Sequence, residues 1–205
     1  MPKQVDHEQR RRRVIEAVYA LADEHGLEGV TLRDVARQAG MSMGAVQRSF
    51  RTKDEMLALA LAHVSEAFAA RVRAAADEPS PPAPALARVA GDLALLGAER
   101  RPEAQVWLAF VARAAVTPAM AGILRDGYPA VQGLLARLVR EAAGTAVDAE
   151  LEARTLLALA DGLTVQVLLG QLGQDEARRI LDMHVDRLCG SAAGDRPRKE
   201  PAVPS

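Results

Sequence analysis

The stretch Thr31–Phe50, TLRDVARQAGMSMGAVQRSF, packs two short amphipathic patterns around one glycine. Leu32, Val35, Ala36 and Ala39 recur at offsets of three, four and seven, the spacing of one buried helix face, which predicts a helix over 31–39. Thr31 is a good N-cap, and Asp34 three positions on can return a hydrogen bond to the cap's backbone N–H. Gly40 then stands where a chain leaving a helix commonly needs a positive φ, and Ser42 can cap a second helix two residues later. In that helix Val46 and Phe50 share a face at i, i+4, while Ser42, Gly44, Gln47, Arg48 and Arg51 lie mostly off it. Its outer surface is small, polar and basic.

Two helices joined by so tight a glycine turn fit a helix-turn-helix, whose second helix can enter a DNA major groove. A structural corner of an all-helical protein would share the pattern, and charge decides between the two. From Thr31 to Lys53 the bases Arg33, Arg37, Arg48, Arg51 and Lys53 oppose the one acid Asp34, in a chain whose net charge is −1. A basic patch on a near-neutral protein suits contact with phosphates. Thr52 and Glu55 form a T-x-x-E capping box for the next helix, which puts Lys53 at its N-terminus, where free N–H groups and the helix dipole favour a phosphate.

The 205 residues are 49% hydrophobic and 3% aromatic, and few segments alternate with period two, which predicts an all-α protein without sheet. No apolar run is long enough to span a bilayer, and the charged N-terminus lacks the apolar core of a signal peptide, so the expected location is the cytoplasm. The single cysteine, Cys189, cannot form an internal disulfide and is expected as a buried or dimer-proximal thiol.

The first helix is predicted from about Glu8 to His25, with Val14, Val18 and Leu21 inward and Gly26 as its stop. Its four arginines, Arg10–Arg13, read either as a solvated helix start or as an arm for the DNA backbone or minor groove. The fourth helix is predicted to about Ala76, followed by a proline-rich loop, DEPSPPAPA, over Asp77–Ala85. Beyond it helices are predicted at 84–97, 103–116, 118–143, 149–171 and 174–189, with Pro118 at N1 and Pro129 bending the 118–143 helix. The domain reading is a DNA-binding unit over 1–54, a ligand-binding and dimerisation domain of helices over 55–189, and a disordered tail over 190–205, with about nine helices in all.

The helix over 149–171 is apolar almost all round and so needs covering on more than one side. The helix over 174–189 carries Ala177, Ile180, Leu181, His184, Val185 and Leu188 as one stripe. Pairing of both helices across a two-fold axis gives a four-helix bundle, with Leu168, Ile180, Leu181, His184, Val185 and Leu188 as the expected homodimer contacts.

From about Arg10 to Leu61 the sequence resembles the TetR family of transcriptional regulators, in a helix ending at glycine, the TLRDVARQAGMSMGAVQRSF unit, and KDEML at matching spacing. VWLAF and ADGLTVQ are similar to the BetI-like C-terminal branch. The resemblance implies a homodimer that binds operator DNA through its hairpins and is released by a small molecule bound in the C-terminal domain. It implies phosphate contacts from Thr31, Arg33 and Lys53, and a groove-facing surface of Ser42, Met43, Gly44, Ala45, Gln47 and Arg48. Where many members carry an aromatic, this chain has Val46-Gln47, so a phenolic phosphate contact is missing and Gln47 can reach adenine or the backbone instead. Arg48 is the candidate for guanine, with a phosphate contact as the alternative.

For the effector, the less common side chains Phe68, Trp107, Phe110, Met120, Tyr128, Asp161 and Gln166 are the candidate pocket residues; Trp107 and Phe110 at i, i+3 can form an aromatic wall and, with Asp161, hold a cation. An enzyme is the contrasting class. In DMHVD, however, residues two apart on a helix point about 200° apart, so His184 cannot join Asp182 and Asp186 at one metal. No catalytic or nucleotide-binding motif appears, and neither a cofactor nor a metal is expected. A helical interaction module that has lost DNA binding is the remaining alternative, and Arg48 and Arg51 on the outer face speak against it.

Overall fold

The computed structural model describes residues 2–145 and 147–193, with their side chains from residue 8 to 190. Among them there are nine α-helices and no strand: α1 (Pro2–Gly29), α2 (Leu32–Gln38), α3 (Met43–Ser49), α4 (Lys53–Asp77), α5 (Pro82–Leu93), α6 (Arg101–Val116), α7 (Pro118–Ala143), α8 (Ala149–Leu168) and α9 (Gln174–Ala193), with a 3₁₀ turn at Ala98–Arg100. The expected all-α class holds. The tail expected from Gly190 is helical in backbone to Ala193 and otherwise lies outside the described residues.

Packing divides the chain into two compact units, one running to Arg71 and taking in Gly97–Ala130, the other made of Val72–Leu96 and the chain from Val131 onward. α4 and α7 each contribute to both. The first unit holds the hairpin. Val14, Val18 and Leu21 line the inner face of α1 as expected, and at Gly26 the backbone leaves helical values, with φ at +70°, so that Leu27 and Val30 turn into the same core. That core is completed by Met56, Leu57 and Leu61 of α4 and by Val106, Phe110, Met120 and Leu124 of α6 and α7. The hairpin helices therefore share one apolar core with α6 and the first half of α7.

In the second unit α5, the end of α7, α8 and α9 bury Leu86, Val89, Leu135, Val139, Leu156, Leu163, Leu181 and Val185. The loop is shorter than the sequence suggested: Pro82 and Pro84 belong to the first turn of α5, where a missing N–H costs nothing because that donor has no intrahelical partner. Arg88 reaches back to donate from Nε to the carbonyl of Ala75 and from Nη2 to that of Glu78, satisfying the end of α4. α5 also stops four residues before the expected 97. Leu95 takes a positive φ of 47° behind Ala94, whose carbonyl accepts a 2.7 Å hydrogen bond from the Thr164 hydroxyl of α8. Leu95 is nearly buried, so packing of its side chain outweighs the cost of that backbone conformation.

Thr164 is the buried polar side chain of this unit, and its hydroxyl also lies 2.9 Å from the Ala160 carbonyl. Thr164→Val keeps the shape and removes the donor, leaving the Ala94 carbonyl buried without its partner. The expected loss is about 1–3 kcal/mol in unfolding free energy, measured by urea denaturation of the two proteins side by side.

Candidate nucleic-acid interface

The hairpin is fixed by local chemistry at each turn. At the start of α2 the Thr31 hydroxyl oxygen accepts from the Asp34 N–H at 3.2 Å and the hydroxyl donates to the Asp34 carboxylate at 2.6 Å. Asp34 thus answers the cap through its hydroxyl rather than its backbone N–H. That hydrogen bond, aided by Arg37 at 2.9 Å, holds the Asp34 carboxyl below its usual range. At the end of α2, Gly40 has φ +62°, Met41 N–H reaches the Ala36 carbonyl and Gly40 N–H reaches that of Arg37. The pair of bonds is a Schellman motif, and it turns the chain so that the Ser42 hydroxyl oxygen receives the Ala45 N–H at 3.2 Å and starts α3.

α3 is held by Val46 and Phe50, both buried in the core of the first unit. Ser42, Gly44, Gln47 and Arg48 are exposed on its other side, whereas Met43 and Ala45 are half-buried and Met43 packs against the core. Thr31, Arg33 and Arg37 are exposed along α2. Of the residues expected at the groove, four therefore form one open surface and two sit at its edge. Arg10 and Arg11 of α1 line a small hollow with Met41, Ser49 and Phe50, which places the start of the arginine run beside the end of α3.

Lys53 occupies a more constrained place than its position at a helix start suggested. Its Nζ donates to the Glu28 carbonyl at 2.9 Å, tying the start of α4 to the end of α1. An ammonium has three donors, so this bond leaves two for a phosphate. The cap of α4 also departs from the expected box: Glu55 N–H donates to the Thr52 hydroxyl oxygen, but the Glu55 carboxylate receives the N–H of Arg51, one residue before the cap. Beside it, Arg113 of α6 holds Asp54 at 2.8 Å and Glu28 at 3.4 Å, and the bond to Asp54 pulls its pKa further up. Sequence reading missed Arg113, because nothing local signals a partner 59 residues away.

The expected effector residues are not gathered together. Phe110 and Met120 are fully buried in the core of the first unit, with Tyr128 packed against it. Trp107 stacks on Phe68, centroids 5.6 Å apart and planes within 10°, so the aromatic wall is built with Phe68 and not with Phe110. Asp161 and Gln166 lie in the second unit, half-buried and exposed respectively. The expected dimer residues also separate. Leu181, Val185 and Leu188 are buried in the unit's own core, which leaves Ile180, His184 and Leu168 only partly covered. An amphipathic stripe shows that a face is buried, not against what, and here α5 and α8 take it. His184 lies 3.5 Å from Glu152 of α8, and no group of residues fit to hold a metal occurs among the described residues. Cys189 is partly covered, and burial followed by Asp186 pushes its thiol pKa up, toward the unreactive form.

Comparison with known proteins fits this geometry. Residues 14–60 match the family described as bacterial regulatory proteins of the tetR family, and residues 81–190 match that of the BetI-type transcriptional repressor, C-terminal. The chain belongs to the TetR family. It is 31% identical to the HTH-type transcriptional regulator PksA of Bacillus subtilis over 98% of this chain and all of that one. A transcriptional regulator of Rhodococcus sp. superposes with a TM-score of 0.79 at 34% identity, covering 88% of this chain and 96% of that one. A regulator of Saccharomonospora viridis, solved in complex with choline, superposes with a TM-score of 0.76 at 26% identity, covering 86% and 95%. The TetR-family chain is a transcriptional regulator of BetI type and not an enzyme. Members bind operator DNA as dimers and take small-molecule ligands. No single helix among its described residues is long and apolar enough to cross a membrane.

Gly44 carries a prediction of its own. A Cβ built there meets only Arg48 Nη1, at an ordinary 3.7 Å, so the fold has room for a side chain. Gly44→Ala is therefore expected to raise the thermal midpoint slightly, since alanine is favoured over glycine in a helix by up to about 1 kcal/mol. If the space is kept for DNA, the same variant loses operator affinity in a gel-shift assay.

Proposed function

We propose that this protein is a repressor that binds pseudo-palindromic operator DNA as a homodimer and is released by a small molecule. Residues 1–54 are its DNA-binding domain and 55–189 its effector and dimerisation domain, and it works in the cytoplasm. The exposed face of α3, with Ser42, Gly44, Gln47 and Arg48 outward over buried Val46 and Phe50, carries the reading. Gln47 and Arg48 supply the two side chains suited to adenine and guanine edges. Thr31, Arg33 and Lys53, with Arg11 beside the end of α3, supply phosphate contacts that fix the register. The reading as a pure interaction module is disfavoured by the exposure of Arg48 and Arg51 on that face.

For the dimer, the outer side of α8 offers what α9 does not. Leu151, Thr155, Ala158, Gly162, Val165 and Leu169 recur at steps of four and three on the side opposite the buried Ala153, Leu156, Ala160 and Leu163. Leu151 and Leu169 are 58% and 67% exposed, and Met183 of α9 is 57% exposed. Exposed apolar residues in such a row mark an association surface. Ala158→Glu is expected to give folded monomers by sedimentation and to lower operator affinity, because a dimer's second half-site contact is intramolecular. Val185→Glu, at a position 2% exposed, is expected instead to lose helix content. Folded monomers from Val185→Glu would place the interface on the α9 stripe.

The DNA reading is tested by selecting bound sequences from random duplexes, with and without choline as a first ligand. The expected operator is about 15–30 bp with half-sites about one helical turn or a multiple apart. Arg48→Ala should relax the preference at one position per half-site, costing roughly 1–3 kcal/mol for each contacted base. Lys53→Ala should weaken all sequences alike and shallow the salt dependence. Retention of the preferred sequence in Arg48→Ala would rule out base reading by Arg48.

A further inference from the structure

Within the first unit, α1, α4 and α6 line an open cavity of about 360 Å³ with mostly apolar walls. Glu16 and Tyr19 reach it from α1, Val64, Phe68 and Arg71 from α4, and Glu103 from α6. One wall is an aromatic stack, Phe68 on Trp107. The guanidinium of Arg71 lies 5.2 Å from the centre of the Phe68 ring, and its Nη1 is 2.6 Å from the Glu103 carboxylate. The combination of an aromatic face and a carboxylate is a seat for a cation. Arg71 fills that seat poorly: its Nε and Nη2 are closed to solvent and have no acceptor, which is costly for a charged donor.

The charges around the cavity are mixed, since Glu103 lies 3.7 Å from Arg100 as well as beside Arg71 and His63 lines the wall, but at Tyr19 the carboxylates prevail. Tyr19 has its pKa pushed up to about 12, first by burial and then by the negative charges of Glu103 and Asp23, which outweigh the opposite pull of Arg71. Its hydroxyl therefore stays neutral, and the field at it is that of carboxylates. Glu16 adds a further carboxylate at the exposed rim.

We propose that this cavity binds a small organic cation with an apolar body, and that Arg71 is an internal stand-in which the ligand displaces from Phe68 and Glu103. The inference names a site and ligand class for the effector of the reading above and rests on that reading only for its effect on DNA binding. The link to the hairpin is short. α2 packs on α1 and α3 on α2, while α6 packs on α1 and holds Glu103 at one end and Arg113, the tie to Glu28 and Asp54, nearer the other. A ligand that separates Arg71 from Glu103 unties α4 from α6 in the unit that positions α3. Linkage requires that such a ligand bind less tightly when operator is present.

Trp107, the chain's single tryptophan, reports the event by fluorescence. The full chain is titrated without DNA with benzyltrimethylammonium, with neutral benzyl alcohol and with anionic phenylacetate. Saturable binding of the cation alone is expected. Arg71→Met, which removes the competing charge and keeps an apolar stem, should tighten it about tenfold, and Glu103→Gln should weaken it by at least as much. Preference for phenylacetate, abolished by Arg71→Met, would show an anion site and overturn the proposal. So would the absence of saturable binding in the wild type, or equal cation affinity in folded Glu103→Gln. If Arg71→Met does not fold by circular dichroism, Arg71→Gln makes the same comparison. Operator binding measured without ligand tests the DNA reading separately, and a bound cation that leaves operator affinity unchanged would overturn the coupling.

Discussion

A helix of seven residues cannot hold itself in water: nucleation takes most of the hydrogen bonds it can make, so its position comes from what it buries. For α3 that means Val46 and Phe50 against α1, α2 and the start of α4. The rest of the hairpin's exposed surface follows from this burial. With the inward side committed, Ser42, Gly44, Gln47 and Arg48 have no choice but solvent, and small residues at 44 and 45 keep the backbone close to whatever approaches it. The caps contribute less energy but remove alternatives. Gly40 and the Ser42 cap fix the turn between α2 and α3, so the angle of α3 is set within the free protein.

A surface fixed that firmly can be regulated only by moving the body that carries it. The first unit has a built frame for doing so, because α1, α4 and α6 meet at two places. At one, Lys53 and Arg113 hold the end of α1 to the start of α4; at the other, Arg71 and Glu103 join α4 to α6 across the cavity beside Tyr19. The two ends differ in quality. Arg113 has two carboxylates, one at 2.8 Å, and one nitrogen, Nε, without an acceptor, whereas Arg71 has one carboxylate, an aromatic face and two such nitrogens. Strain of this kind is where a ligand can do work, since replacing a poorly matched internal group costs less than breaking a satisfied one.

What the amino-acid order made legible was local. Thr31, Gly40, Ser42 and Thr52 each act within four residues, and the positions of α2, α3 and the start of α4 could be read from them almost residue by residue. The end of α5 could not, because it depends on a hydroxyl 70 residues away and on a leucine held at positive φ by packing. Lys53 was legible as a basic residue at a helix start, while its bond to the Glu28 carbonyl was not. The effector residues were the least legible. Being rare and bulky makes Phe110 and Met120 equally good core, and that is where they are. The cavity residues Tyr19, Arg71 and Glu103 come from three helices and share no spacing that a single sequence displays.

The apolar stripes of α8 and α9 show why periodicity counts faces but does not assign them. α9 has one stripe, and the unit's own core consumes it. α8 has two: Ala153, Leu156, Ala160 and Leu163 inward, and Leu151, Thr155, Ala158, Gly162, Val165 and Leu169 outward. The outward row advances 18 positions in five steps, 3.6 per step, so it runs straight along the helix without demanding a supercoil. Its middle is small, threonine, alanine and glycine, and its ends are leucine or valine. Across a two-fold axis a helix meets its own copy most closely at the crossing point and splays from it toward both ends. Small residues at the centre permit that close approach, and larger ones at the ends fill the widening gap. The order of sizes along α8 is thus the one that self-pairing needs, and a helix packed only inside its own chain would have no reason to keep Leu151 and Leu169 in water.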